Sequence, residues 1–262
     1  MLDLENTITR RGIVMTIKQP SAEVKAVTDF NDQAYEAKGF AAQRRYPNEE
    51  FLRFLGSHYF SVRHEIRKSK KVLEAGCGSG ANLWMVAREG FDAHGIDISK
   101  NGLSLCHQML ESWGVTAALK HGDMTCLDYP DGYFDVVADV FSSYSLVEKD
   151  FGSFLREAMR VMKPGGRFFL YTPSQKSDAF SNYKPSTKLD ECTLSGIERV
   201  TSAFYPQRYP FRFVDEQELL RQLTIVGFEV TSHERIGRTY RGGEEYFEFL
   251  SVHAIKPSSV RA

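Results

Sequence analysis

Little in this chain points to a membrane, a disulfide framework or a polyanionic partner. No apolar run approaches the ~20 residues that a bilayer-spanning helix needs. Cysteine is scarce, and Cys77, Cys106, Cys126 and Cys192 show no paired spacing. Structural zinc sites bring cysteines together in close pairs, so no metal site is expected. Free thiols are expected instead, and with them a cytoplasmic location. Charge of one sign is missing too. The chain has 33 Lys and Arg against 34 Asp and Glu, a formal net charge of −1. No strong field draws nucleic acid or an anionic membrane. Met1–Glu5 is acidic and lacks the basic start and apolar run of a signal peptide. Residues 1–20 show no clear periodicity and are expected to fray, with Met15 as an alternative start.

What is present is a glycine-rich turn. Residues 71–80 read KVLEAGCGSG. Val72 and Leu73 form the end of a buried strand, and Ala81–Arg88 the helix after it. Glycines let the backbone approach a ligand and adopt positive φ. A helix N-terminus adds free N–H groups. The dinucleotide fingerprint is G-x-G-x-x-G. Here Gly76, Gly78 and Gly80 are spaced G-x-G-x-G, with Glu74 two residues ahead. An acid and a close turn suit a cofactor with an ammonium group and no phosphate, such as S-adenosylmethionine.

The stretch resembles the first motif of the class I S-adenosylmethionine-dependent methyltransferases. Further motifs follow in order. Phe91–Ser99 looks like the second strand, ending at Asp97 and Ile98, where a carboxylate can accept both ribose hydroxyls. Gly122-Asp123-Met124 resembles the third motif, in which the acid takes the adenine amine and the apolar neighbour packs on the ring. Tyr133–Phe141 reads as the fourth strand, with Asp139 and Phe141 near the cofactor. Leu155–Leu170 gives a helix, a Pro-Gly-Gly stop and a fifth strand. The resemblance covers residues 65–175 well and 210–257 more loosely. It implies a doubly wound, mostly parallel seven-stranded α/β sheet, Rossmann-like, in a single domain. It also implies a cofactor set of Glu74, Gly76, Cys77, Gly78, Gly80, Asp97, Ile98, Asp123, Met124, Asp139 and Phe141. S-adenosylhomocysteine would be the product.

Organisation agrees with that expectation. Residues 21–64 look helical, with Pro47 fixing the entry to a helix that carries Phe51, Leu52, Phe54 and Leu55. In the resembled family such helices form a lid, so Tyr35, Arg44, Arg45 and Tyr46 are lid candidates. Residues 65–174 form the cofactor core. Residues 175–213 interrupt it with a polar tract and the aromatic run 204–213, a cap on the substrate side. Residues 214–257 complete the core with a helix and two strands, the last one antiparallel.

Methyl transfer from a sulfonium requires positioning more than proton chemistry, and no catalytic triad is evident. Candidate bases are His233, Tyr144, Asp139 and His121; none stands out, and the catalytic residues are left unassigned. There is no Asn/Asp-Pro-Pro-aromatic tetrad after strand four and no Pro-Cys dipeptide. A small-molecule acceptor is therefore expected, methylated at oxygen or nitrogen, with no nucleic acid and no membrane as partner. Between residues 189 and 255 every Lys/Arg position is arginine, which suits an anionic substrate group or ordinary ion pairs with the acids of that stretch. The rival readings are a nicotinamide-dependent oxidoreductase and a non-catalytic cofactor-binding partner protein.

Overall fold

The structure, a computed structural model, describes residues 7–10, 13–16 and 22–258. Within the segment expected to fray, β1 (Thr7–Arg10) and β2 (Ile13–Thr16) pair antiparallel. The remaining residues of 1–20 lie outside the described ones.

The lid segment holds α1 (Ala22–Lys38), α2 (Glu49–Leu55) and α3 (His64–Arg67). Asn48, rather than Pro47, fixes the start of α2, because its side chain accepts the Phe51 N–H at 3.0 Å. The core then alternates strand and helix. It runs β3 (Lys71–Ala75), α4 (Leu83–Arg88), β4 (Asp92–Asp97), α5 (Lys100–Ser112), β5 (Ala118–His121), β6 (Phe134–Val140), α6 (Glu148–Val161) and β7 (Met162–Pro173). The inserted segment contributes α7 (Asp178–Ser181) and the short pair β8 (Thr193–Leu194) and β9 (Phe211–Arg212). The chain ends in α8 (Glu216–Val226), β10 (Glu229–Tyr240) and β11 (Glu245–Ile255).

The main sheet has seven strands in the order β10-β11-β7-β6-β3-β4-β5. β11 runs antiparallel to both neighbours, and the core pairs are parallel. Strand order reverses between β3 and β6. Ligands of doubly wound sheets bind beyond the carboxyl ends of the strands at that switch point. The glycine turn and Phe141 both sit there.

Two apolar layers hold the sheet. On one face α6 presents Phe151, Phe154, Leu155, Ala158 and Val161, a helical spacing, to Phe168 and Leu170 of β7. On the other face Phe51 and Phe54 of α2 lie 5.2 and 5.1 Å from the fully buried Phe169 ring. α8 is capped by Asp215 at its start and by Gly227, at φ 107°, at its end.

Phe169 is thus the contact that seats the lid base on the sheet. Phe169→Ala is expected to cost about 3–5 kcal/mol. Urea unfolding should show it as a lowered midpoint with an unchanged slope.

Candidate functional site

The turn is drawn tight by one carbonyl. Gly76 N–H and Cys77 N–H both donate to the Ile96 oxygen, at 2.8 and 3.1 Å. Gly76, Gly78 and Gly80 have φ of 72°, 49° and 84°. A Cβ on Gly76 would lie 1.6 Å from Ser142 Oγ and 2.4 Å from Ser142 Cβ. On Gly78 it would meet Gln43 Oε1 at 2.6 Å and the Tyr35 hydroxyl at 2.8 Å. Both glycines therefore keep space open where the lid and the strand-four loop converge.

Two buried carboxyl groups, Glu74 and Asp139, and the half-buried Asp97 surround the turn. Glu74, at the end of β3, takes a hydrogen bond from Asn82 Nδ2 on Oε1, while its buried Oε2 has no partner among the described residues. Burial is the main reason its pKa is pushed up to about 8; Asn82 and Arg44 pull the other way. Asp97 accepts Gly78 N–H at 2.8 Å and Ser99 N–H at 2.8 Å. Burial raises its pKa, and those two N–H groups oppose the rise. Asp139 is fully buried and accepts the N–H groups of Ser142 and Ser143, at 2.9 and 3.1 Å. Burial lifts it to about 6.

A cavity of about 650 Å³ opens over the turn. Glu74, Gly76, Cys77, Gly78, Asp97 and Phe141 line it. A narrow slot of about 60 Å³ continues from Gly76 and Asp97 to Ile98, Asp123 and Met124. Two residues of the expected set are not on either wall. Gly80 faces backwards, its Cβ position 2.7 Å from Cys106 Sγ. Asp139 spends its carboxylate on the backbone of the loop after β6, and so shapes the wall without joining it.

That loop carries strain. Phe141 has φ 60°, a conformation that costs a non-glycine residue about 1–3 kcal/mol. Its N–H is held by Tyr171 O at 2.8 Å, and its ring stacks on Tyr144 at 4.3 Å. Residues without a signal in the sequence complete the site: Asn31, Ser142 and Ser145 line cavity and slot alike. Asn82 has a signal only in hindsight, two places past Gly80. Its Oδ1 accepts Asn48 N–H at 2.8 Å, joining the lid to Glu74.

Of the lid candidates, Tyr35 and Arg44 line the cavity. Arg44 is exposed as a residue, yet surrounding protein lowers its pKa, an effect that Glu74 partly offsets. Tyr46 is 67% exposed and meets the edge of Trp113, and Arg45 lies over Phe40. Of the insertion, residues 203–207 and Tyr209 reach the cavity. The earlier part docks on β11, through Asp178 to Tyr246 N–H at 2.7 Å and Arg199 to Glu245 at 2.6 Å. Tyr144 is the one candidate base on the wall. His233 pairs with Glu216 at 3.2 Å on the surface, and exposed His121 contacts Ile98 O at 3.0 Å.

All four cysteines are free. One trio of metal-ligand type does exist among the described residues: Glu148, Asp190 and Cys192. The Arg212 guanidinium sits against it, 3.2 Å from Glu148 and 3.7 Å from the Phe151 ring centroid. An internal cation already serves that acid pair.

Fold and cleft together define a doubly wound protein with a nucleotide-type cofactor site. Residues 72–166 match the family described as "Methyltransferase domain". The fatty-acid O-methyltransferase of Mycolicibacterium smegmatis is 36% identical over 110 residues, 41% of this chain and 38% of that one. Phthiotriol/phenolphthiotriol dimycocerosates methyltransferase 1 of Mycobacterium ulcerans is 29% identical over 189 residues, 71% of this chain and 59% of that one. The chain thus spans less than two thirds of the length of either relative. The solved 1,6-didemethyltoxoflavin-N1-methyltransferase of Burkholderia thailandensis superimposes with a TM-score of 0.58 over 97% of this chain and 100% of that one. At 15% identity that likeness concerns the fold. By the family match residues 72–166 form a methyltransferase domain, and the relatives' names point to the same class.

Gly76→Ala should be far more damaging than Gly114→Ala. Both positions have positive φ, but nothing lies within 4 Å of a Cβ at Gly114. Gly114→Ala is expected to cost only the backbone term, about 1–2 kcal/mol. Gly76→Ala must also displace Ser142, and thermal unfolding should separate the two.

Glu74 makes stability depend on pH in a defined sense. Its folded pKa, about 8, lies above the ordinary 4.5. Below about pH 4.5 it is protonated folded or unfolded, and its contribution is fully present. As pH rises towards about 8 the unfolded chain ionises first, so that contribution is lost. Glu74→Gln should therefore gain on the wild type between pH 5 and pH 8, measured by urea midpoints at both values.

Proposed function

We propose that this chain transfers a methyl group from S-adenosylmethionine to an oxygen or nitrogen of a small-molecule acceptor. The observation that carries the reading is the orphaned, buried Oε2 of Glu74 beside the glycine turn. It is a ready partner for an ammonium group, and its solvation was given up on folding. Asp97 at the end of β4 would take the ribose, using the lone pairs left after its two backbone bonds. Asp123 with Ile98 and Met124 would hold the adenine in the slot. When bound, the cofactor supplies an electrophilic methyl carbon on a good, neutral leaving group. The protein's part is then to orient and to exclude water, for which positioning can contribute about 7–11 kcal/mol.

The small-molecule class is supported by the cavity itself. Its volume, about 650 Å³, falls in the range of small-ligand sites. Lid residues Tyr35, Gln43 and Arg44 and insertion residues 203–207 and Tyr209 line it, so the lid and this part of the cap would enclose the acceptor. The names of the relatives, which include a fatty-acid and a toxoflavin methyltransferase, support the same class. The free thiols suit a cytoplasmic location. No helix among the described residues is long and apolar enough to cross a membrane.

Calorimetry with S-adenosylhomocysteine and with NAD tests the reading. The sulfur ligand should bind and NAD should not. Its affinity should climb from pH 6 to pH 8, because its ammonium favours the ionised form of Glu74. Glu74→Gln should flatten that slope. Tight NAD binding without any response to S-adenosylhomocysteine would falsify the proposal.

A further inference from the structure

The half of the cavity remote from the turn has cations and aromatic rings but no acid. Glu74 and Asp97 are the acids on its wall, and both stand at the turn; no histidine lines it. The acid acting on Tyr171 from outside, Glu50, is tied to Arg53 at 2.7 Å. Three cations do line the cavity: Lys38, Arg44 and Arg238.

Arg238 is set apart by two features together. Arg199, Arg212, Arg221 and Arg235 are paired with Glu245, Glu148, Glu218 and Glu216. The side chains of Arg208, Arg238 and Arg241 have no ion pair among the described residues, and of these three Arg238 alone lines the cavity. It faces Tyr171, the charge acting most strongly on that hydroxyl. A guanidinium forked over a cavity and left without a carboxylate is suited to receive one.

The remaining walls are flat. Phe141 stacks on Tyr144 at 4.3 Å, and Tyr171 on Phe249 at 4.8 Å. The Tyr144 and Tyr209 hydroxyls meet at 2.7 Å. Burial raises the pKa of both, so both stay protonated; one donates to the other, and a single proton of the pair is left to donate onward.

Beyond the turn the wall offers no carboxylate or imidazole to take a proton from an acceptor, but it can hold an acceptor that has already lost one. We infer that the acceptor is an oxyanion on a flat apolar body, a carboxylate or an acidic phenol or enol, and that Arg238 selects it. This rests on the methyl-transfer reading above and narrows it to oxygen. The acceptor's oxygen lone pair forms the O–CH3 bond, the C–S bonding pair stays on sulfur, and no proton moves. Opposite charges on the two reactants cancel, so both products leave neutral at these centres. An ammonium-bearing acceptor would instead meet Arg238 and no acid beyond the turn.

The test uses three isosteric probes in calorimetry with S-adenosylhomocysteine present: 2-naphthoate, 2-naphthamide and 2-naphthylmethylammonium. The carboxylate should bind at least about tenfold more tightly than the amide, the scale of a charge-assisted hydrogen bond. The ammonium should bind more weakly still. Arg238→Met should remove the preference for the anion and leave S-adenosylhomocysteine affinity unchanged. Failure of 2-naphthoate to bind better than both isosteres, including failure to bind at all, overturns the inference. So does an anion preference that survives Arg238→Met. If S-adenosylhomocysteine itself does not bind in the same experiment, it is the methyl-transfer reading that falls.

Discussion

The site hangs on the carbonyl of Ile96. By accepting both Gly76 N–H and Cys77 N–H it folds the end of β3 down onto β4. The close fit leaves no room for side chains nearby. A Cβ on Gly95 would lie 2.7 Å from Leu83 and 2.8 Å from Cys77 Sγ. Once the turn is bent this far, Gly78 N–H comes within reach of Asp97, one residue past Ile96, and the loop is locked from both sides. The cavity is the space that this bend opens between β3 and the loop after β6.

Above the turn, Asn82 joins two layers with one amide. Its Nδ2 donates to Glu74 on the sheet, and its Oδ1 accepts Asn48 N–H at the start of α2. Asn48 in turn caps α2, whose Phe51 and Phe54 rest on Phe169. A second tether runs from Asp32 on α1 to Ser99 and Asn101 at the start of α5. The lid is thus fastened to the first residues of two core helices, α4's cap and α5's first turn, beside the strand ends they follow.

The core was legible in the sequence because its constraints are local. A turn that needs positive φ at three places demands glycine, and strands buried on both faces read as apolar runs. Glu74, Asp97, Asp123 and Met124 stand at fixed offsets from those runs. The direction of the Asp139 carboxylate was not legible: whether it turns to the cavity or to the backbone of Ser142 and Ser143 depends on a loop that sequence does not define. Arg238 could not be told from Arg235, three residues away, since their difference is whether Glu216 lies within reach. The length of β10 was not legible either: its residues are largely exposed, so no apolar alternation marks the strand.

The cavity is also divided along the chain. The turn, Asp97, Asp123 and the loop through Leu146 fall inside residues 72–166, the span that matches the family. Tyr171, residues 203–207, Tyr209, Arg238, Tyr240 and Phe249 come after it, on the insertion and on strands at the far side of the sheet. Arg238 and Tyr240 ride near the tip of the β10–β11 hairpin, which is joined to the parallel core only through β7. On the reading proposed above, substitutions near a hairpin tip and in one loop alter the acceptor wall and leave the family-matched half of the cavity untouched.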